Sequence, residues 1–528
     1  MENRIRVAKF VPVFAGLALA GCHQTDNLLC PEGACGWTDA EISRLTAMGN
    51  LPEAAPMDMS NKYQGNPAAE QLGRKFFWDT RFSGYSTGTD SIKRPMPYGR
   101  APKGEALNIA CVTCHDLRHG GVDPSTTPGN VSLGASWDNV NAPTVFNDAF
   151  RPLILWAARA DSLWAQPPGS IEASMGSNRL RAAWTIATYY RADYEAVFTD
   201  WAPMPMTGTI ATVQPTLETQ AGLAGQCQLA AGACPAECRS VMDTTSGATG
   251  CFPRFPLDGK PGSKKGCQPG LASEPYGDAW DCMDPADQIL VQRVIVNFAK
   301  AIAAFEARLI SRNSDFDKWV VDLKAGNGNE SEAITAEAKN GARLFVGKAG
   351  CSDCHNGPLL ASDKPFNIGI PQTGQGIPTV ADCPMGGVCD CVTPNNCIPF
   401  GALDGIQKLK SHAYLRTSMW SDNPMDDSRA KFVAADPSTI PKGSWRVPSL
   451  RDVAITPPYM HTGALATLED VVWHYNMGGD PTATGEIAAQ LQPLYLTDRE
   501  QSQLVAFLKT LTGEPLSDDL AAKPDLPQ

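Results

Sequence analysis

Cys111-Val112-Thr113-Cys114-His115 and, far downstream, Cys351-Ser352-Asp353-Cys354-His355 are the two stretches that decide how this chain is built. Two thiols at this spacing can form thioethers to the vinyl groups of a haem. The adjoining histidine then reaches the iron as its proximal ligand. A lone Cys-x-x-Cys also suits a redox pair or zinc. The following histidine, the duplication and an export signal point to haem instead. The sequence holds no third copy, so two covalently bound haem c groups are expected.

The surroundings of the two motifs are alike. Glu70-Gln71-Leu72-Gly73-Arg74-Lys75-Phe76-Phe77 precedes the first, and Lys339-Asn340-Gly341-Ala342-Arg343-Leu344-Phe345 the second. Each sets an apolar residue and an aromatic at helical spacing, then a Gly-containing loop, then the attachment site. The pattern predicts a mainly α protein: two fused cytochrome c-like haem domains with disulfide-rich loop insertions. Residues 286–312 read as one long helix through Ile289, Val294, Phe298, Ile302, Phe305 and Leu309. Thr497-x-x-Glu500 is a capping box. It opens a helix with Leu504, Phe507, Leu508 and Leu511 on one face and Gly513 and Pro515 past its end.

The N-terminus is a targeting segment. Arg4, Arg6 and Lys9 precede an apolar run, Phe10 to Ala20, too short to span a bilayer. Leu19-Ala20-Gly21-Cys22 resembles a bacterial lipobox, which implies cleavage before Cys22 and lipidation of its thiol. A plain signal peptide with an incidental cysteine is the alternative. No other stretch reads as a membrane span. The expectation is a periplasmic or cell-envelope protein, anchored to the membrane through its N-terminal lipid only.

Cysteine usage agrees with export. Of 17 cysteines, the lipid and the two haem motifs take five, and the other twelve fall into even clusters. These are Cys30 and Cys35; Cys227, Cys234, Cys238, Cys251, Cys267 and Cys282; and Cys383, Cys389, Cys391 and Cys397. Local disulfides suit an oxidising compartment, while zinc is disfavoured because neither larger cluster contains a histidine. Six cysteines allow 15 connectivities, so pairing within that group stays open. The expected segments are signal peptide 1–21, tether 22–60, N-terminal haem domain 61–204 and a Cys-rich insertion 205–284. A helix completing the N-terminal domain follows at 285–325, then the C-terminal haem domain 326–516 with a Cys-rich loop at 371–400, and a tail 517–528. The formal net charge of −12 argues against nucleic acid as a partner and suits either a small basic protein partner or solubility alone.

Several further blocks resemble the bacterial di-haem cytochrome c peroxidases and their relative MauG. In the first half they are Leu72-Gly73-x-x-Phe76-Phe77-x-Asp79-x-Arg81-Phe82-Ser83 and Asn141-Ala142-Pro143-Thr144-Val145-Phe146-Asn147. In the second they are Cys354-His355-x-Gly357-Pro358-Leu359, Val447-Pro448-Ser449-Leu450-Arg451-Asp452-Val453 and Thr456-Pro457-Pro458-Tyr459-Met460-His461-x-Gly463. The resemblance implies an enzyme that reduces hydrogen peroxide with electrons from a small c-type cytochrome or another donor. It makes the first domain peroxidatic and the second electron-transferring. His115 and His355 match the proximal iron ligands, and Trp156 the tryptophan between the haems. Asn141, Thr456 and Pro458 match a calcium site whose hard oxygen donors suit that ion. Gln166 matches a polar residue over the peroxide-binding haem. Relatives of this kind often form homodimers.

Three departures stand out. Ser132-Leu133-Gly134-Ala135-Ser136-Trp137 lacks the histidine that caps the first haem in many relatives, which implies an open first haem. His119 is too near His115 in sequence to replace it. Ten residues past Gln166, where the family has a glutamate, stands Gly176, with Glu172 the nearby substitute. Fourteen residues past His461, where many relatives have methionine, stands Tyr475, with Met477 the local alternative. A phenolate is a harder donor than a thioether and lowers the potential of its iron. That resembles MauG and implies, as a second reading, peroxide-dependent oxidation of Trp or Tyr in a partner protein. A non-catalytic electron-transfer lipoprotein is a third.

Overall fold

The computed structural model describes residues 36–86, 88, 100–199, 238–242, 249–253, 255, 280–372 and 401–528. The signal segment with Cys22, Cys30 and Cys35, and the side chains of the ten cysteines expected in the two staples, lie outside the described residues.

Helices dominate, and the described strands are short antiparallel pairs, Cys238–Met242 with Thr249–Pro253 and Pro365–Phe366 with Trp445–Arg446. Among the described residues, each of the two larger apolar cores packs against one Cys-x-x-Cys-His motif. In the first, the Pro67–Trp78 helix brings Leu72, Phe76 and Phe77 against Phe298, Ile302 and Phe305 of the Pro285–Glu306 helix. In the second, the Ala336–Val346 helix brings Ala338, Ala342 and Phe345 against Leu504, Phe507 and Leu508 of the Asp498–Lys509 helix. Each crossing is close because a glycine faces the partner backbone. A Cβ on Gly73 would stand 1.9 Å from the Ala301 carbonyl oxygen, and one on Gly341 the same distance from that of Gln503.

Capping explains where the crossing helices begin. Asp284 accepts from Ala286 N with Pro285 at the first turn, and Thr497 and Glu500 form the expected capping box. A matched clamp holds the chain after each helix. Asn147 N–H donates to Leu309 O at 2.9 Å, and its Oδ1 accepts from Ser311 N at 2.9 Å. Asp452 N–H donates to Leu511 O at 3.1 Å, and its Oδ1 accepts from Gly513 N at 2.9 Å. Both clamp residues have left-handed backbone, at φ 62° and 63°.

The structure differs from the sequence reading in three places. The helix expected over 286–312 ends at Glu306, where the Asn147 clamp takes over. A new helix, Asp315–Lys324, starts from the Ser314 capping box and buries Phe316, Trp319 and Val320 in the second core, not the first. The stretch expected as tether carries the Asp39–Met48 helix, whose Leu45 and Met48 also enter the second core. Against the expectation that no later stretch reads as a span, the Pro285–Glu306 helix is long and apolar enough to cross a membrane by length and composition. Its burial between other helices makes it a core helix instead.

Candidate haem-attachment sites

Each motif is a tight turn closed by its own backbone. His115 N–H donates to Cys111 O at 3.0 Å, and His355 N–H to Cys351 O at 2.9 Å. The four motif cysteines are unpaired with one another. Burial pushes the Cys111 and Cys351 thiols up to about 12 and raises Cys114 and Cys354 too.

The two imidazoles are oriented the same way. His115 Nδ1 donates to Gly121 O at 3.2 Å, and His355 Nδ1 to Leu360 O at 2.9 Å. That fixes the tautomer and leaves Nε2 as the free metal-binding nitrogen. Burial lowers both histidines, His355 to about 4, so they are neutral ligands at physiological pH. A hydroxyl braces each acceptor loop from behind. Thr144 Oγ1 donates to Gly120 O at 2.6 Å, and Ser449 Oγ to Leu359 O at 2.7 Å.

Around the second motif lies a cavity of about 310 Å³, walled mostly by apolar side chains. Cys351, Cys354, His355, Tyr475 and Trp156 all reach it. Tyr475 is enclosed and burial raises its phenol, the adjoining Cys351 and Cys354 adding to that. Met477 is 54% exposed on the outer face of the Leu468–Met477 helix. The cavity also fits a group that carries carboxylates. Arg446 lines it, Arg151 donates to Val447 O beside it, and Nε of Arg446 with Nε and Nη1 of Arg151 is buried with no partner among the described residues. A haem brings two propionates, which such nitrogens would satisfy.

Trp156 is held by Nε1 donating to Asn141 O at 2.9 Å and stands edge-on to the His461 ring, 6.3 Å between centroids. Trp445 stacks on that ring at 4.0 Å between centroids. Burial takes His461 down to about 3, and its ring meets Gln372. Sequence reading singled out Trp156 and not the Trp445–His461 stack, because that stack joins residues sixteen apart with no local pattern.

The other expected site residues fall as follows. Gln166 is half-buried, with its amide on Ser170 Oγ. Glu172 meets Arg179 through two bonds, Nε to Oε1 at 2.6 Å and Nη2 to Oε2 at 3.1 Å. A carboxylate so engaged is a poor proton carrier. Gly176 has φ +56°, and a Cβ there would stand 2.6 Å from Leu107 Cδ1 and 2.8 Å from Ala135 Cβ. Ala135 and Leu107 thus fill the space a glutamate side chain would need. His119 turns outward to Asp116. Asn141, Thr456 and Pro458 do come together. Asn141 Oδ1 accepts from Ser132 Oγ at 3.0 Å, and its amide nitrogen faces Pro458 O at 3.4 Å. In that arrangement the amide bridges the groups by itself and does not offer its oxygen to an ion.

The comparisons with known proteins agree with this construction. The family model described as di-haem cytochrome c peroxidase matches residues 67–221. The chain is 32% identical over 523 residues to the methylamine utilization protein MauG of Methylorubrum extorquens, covering 98% of each. It is 26% identical over 494 residues to cytochrome-c peroxidase IdrP1 of Denitromonas iodatirespirans, covering 93% of this chain and 92% of the relative. It is 27% identical over 501 residues to cytochrome-c peroxidase IdrP2 of Pseudomonas sp. strain SCT, covering 94% and 95%. With both attachment turns built alike and a relative matched from end to end, this chain belongs to the di-haem cytochrome c peroxidase and MauG family of oxidoreductases.

Proposed function

We propose that the protein is a periplasmic di-haem peroxidase, lipid-anchored at Cys22, that reduces hydrogen peroxide to water with electrons from a small c-type cytochrome. The carrying observation is the asymmetry of two otherwise equal sites. Tyr475 reaches into the second cavity, whereas the loop expected over the first haem presents Ala135. When bound, the two haems supply the iron chemistry and the electron storage. Cys111, Cys114 and His115 would hold one, and Cys351, Cys354, His355 and Tyr475 the other. The protein keeps both imidazoles neutral and oriented through Gly121 O and Leu360 O. Trp156 offers electrons an aromatic path along the wall of the second cavity. Gln166 supplies a polar group above the first site. Calcium is part of the proposal on residue type alone: Asn141, after rotation of its amide, with the carbonyls of Thr456 and Pro458.

The placement of Tyr475 favours a second reading, oxidation of Trp or Tyr in a partner protein, because a phenolate-bound haem of low potential accepts electrons poorly from an ordinary cytochrome. One experiment separates the two: peroxide turnover by the haem-loaded protein with a reduced small cytochrome c, with and without one-electron pre-reduction. Rapid turnover without pre-reduction establishes the peroxidase. A long-lived oxidised spectrum without turnover establishes the second reading, and no reaction in either state overturns both.

A further inference from the structure

The peroxide reaction needs a proton moved, and the residues expected to move it are not available. Gly176 has no side chain, and Glu172 is committed to Arg179. The loop that faces Gly176 offers another carboxylate. Residues 132–138 fold back on themselves, with Leu133 bridged to Trp137 and Asp138 N–H donating to Ser132 O at 3.0 Å. The fold-back packs on the segment before Gly176, Ala135 N–H donating to Ser174 O at 2.6 Å. Asp138 lands beside that segment, its Oδ1 accepting from Ser174 Oγ at 3.2 Å. Ala135 therefore blocks the glutamate position while its own loop delivers a carboxylate two residues from it.

Asp138 is enclosed by protein yet partly accessible, as Cys114 and His115 are. The groups whose charge bears on Cys114 include Asp123, Asp138, Arg100 and Cys111, and Asp123 and Asp148 bear on His115. Asp138 thus lies within electrostatic reach of the attachment cysteine Cys114. Arg159, also enclosed, is the cation whose field reaches Asp138. Glu306, the other buried carboxyl near this site, instead shares its surroundings with Cys111 and Asp148, on the segment of the proximal loop.

We propose that Asp138 is the proton carrier of the peroxide step, in place of the glutamate that Gly176 lacks, with Arg159 as the neighbouring cation. This rests on the peroxidase reading above. Overall, one hydrogen peroxide, two protons and two donor electrons give two waters. Asp138 as carboxylate takes a proton from one peroxide oxygen and returns it to the other, the outer one, as the O–O bond breaks, and the two donor electrons and two protons turn the first oxygen into the second water. The outer oxygen keeps the electron pair and leaves as water, and Arg159 offsets the negative charge that builds up there. Burial moves Asp138 up to about 6, Asp123 adding to this and the Ser174 hydroxyl and Arg159 opposing it. A base of that strength is charged at pH 7 and easily reprotonated.

The test uses the haem-loaded protein. Asp138→Asn should slow the stopped-flow reaction with peroxide by at least about a hundredfold. It should also abolish a fall in rate below about pH 6. Independently of activity, infrared difference spectra of the wild type should show a carboxylic acid band appearing as pH drops through the same value, absent from Asp138→Asn. Ser174→Ala should move both the band and the rate inflection to higher pH, since that hydroxyl stabilises the carboxylate. An Asp138→Asn protein with the wild-type rate and inflection overturns the proposal while leaving the peroxidase reading intact. If Asp138→Asn does not hold haem, Ser174→Ala decides, and an unmoved inflection overturns the proposal. A wild type silent toward peroxide overturns both.

Discussion

Thr144 holds the carbonyl of Gly120, the next carbonyl receives His115, and three residues past Thr144 the left-handed Asn147 clamps Leu309 and Ser311. Ser449 holds the carbonyl of Leu359, the next carbonyl receives His355, and three residues past Ser449 the left-handed Asp452 clamps Leu511 and Gly513. The proximal sides of the two haem sites match bond for bond although their residues differ. The opposite sides do not match. Tyr475 lines the second cavity, whereas past the first motif Ala135 packs against Gly176. The proximal side must deliver one neutral imidazole in one orientation, and few arrangements do that. The opposite side sets what the iron may bind and at what potential, and there the two copies are free to diverge.

The largest break in the proximal match lies between the bracing hydroxyl and the clamp. Phe146 is buried as an apolar side chain, while Arg451 at the equivalent place forms a buried ion pair with Asp317, at 2.8 and 3.0 Å. Asp317→Asn should cost about 3–5 kcal/mol, because Arg451 would stay buried without its counter-charge. Replacing both, Arg451→Met with Asp317→Leu, should recover part of that loss, the rest remaining because the Ser314 and Asn50 donors to Asp317 stay unpaired. Urea unfolding of the three proteins checks this. Burial acts to raise Asp317, and the Arg451 bonds outweigh it and hold the carboxyl below its usual value. The pair's contribution is therefore present above about pH 4 and fades as pH falls through the lower folded value. The double variant should lose that acid sensitivity.

The helix crossings are where the halves should respond alike. Gly73→Ala and Gly341→Ala each drive a methyl into a backbone oxygen 1.9 Å away. Each should destabilise by roughly 1–3 kcal/mol, with the haem spectrum of its own half disturbed first. A response in one half only would show that the crossings are not equivalent. At the ligand, where the halves differ, Tyr475→Met should raise the second haem's potential by on the order of 0.1 V, within the ~0.8 V that axial ligands command. The first haem should stay where it is, and redox titration followed by absorbance separates the two.

What the sequence made legible was local or repeated. The two Cys-x-x-Cys-His turns, the Thr497–Glu500 capping box and the Leu72-Gly73 and Asn340-Gly341 crossings are all short patterns whose residues act on near neighbours or recur in the second copy. Tyr475, singled out by its spacing from His461, lines the second cavity, and Met477 is exposed. The clamps were not legible, since Asn147 and Asp452 work on chain 164 and 61 residues away. Asp138 escaped because a search for a missing glutamate stays near the missing position, and the carboxylate arrives from another loop. Glu172 shows the converse. It is close in sequence to the expected place, but Arg179, seven residues on, claims it.

The smallest expected effect probes the match at its finest point. Thr144→Val and Ser449→Ala each remove one hydroxyl from behind a histidine's acceptor loop, a loss of about 1 kcal/mol in stability. The hydroxyl does not touch the histidine. It fixes the carbonyl one residue before the acceptor, so its removal loosens the Nδ1–H···O=C bond and makes the imidazole a slightly weaker donor to its iron. A weaker donor stabilises the oxidised iron less, so the potential of that haem should rise. The rise should be confined to the haem whose loop was cut: the first for Thr144→Val, the second for Ser449→Ala. Equal small rises, each in its own half, would mean that the bracing bond does the same work in both copies. A rise in the second half alone would mean that the 3.2 Å contact of His115 is already too loose for the brace to matter, against 2.9 Å at His355.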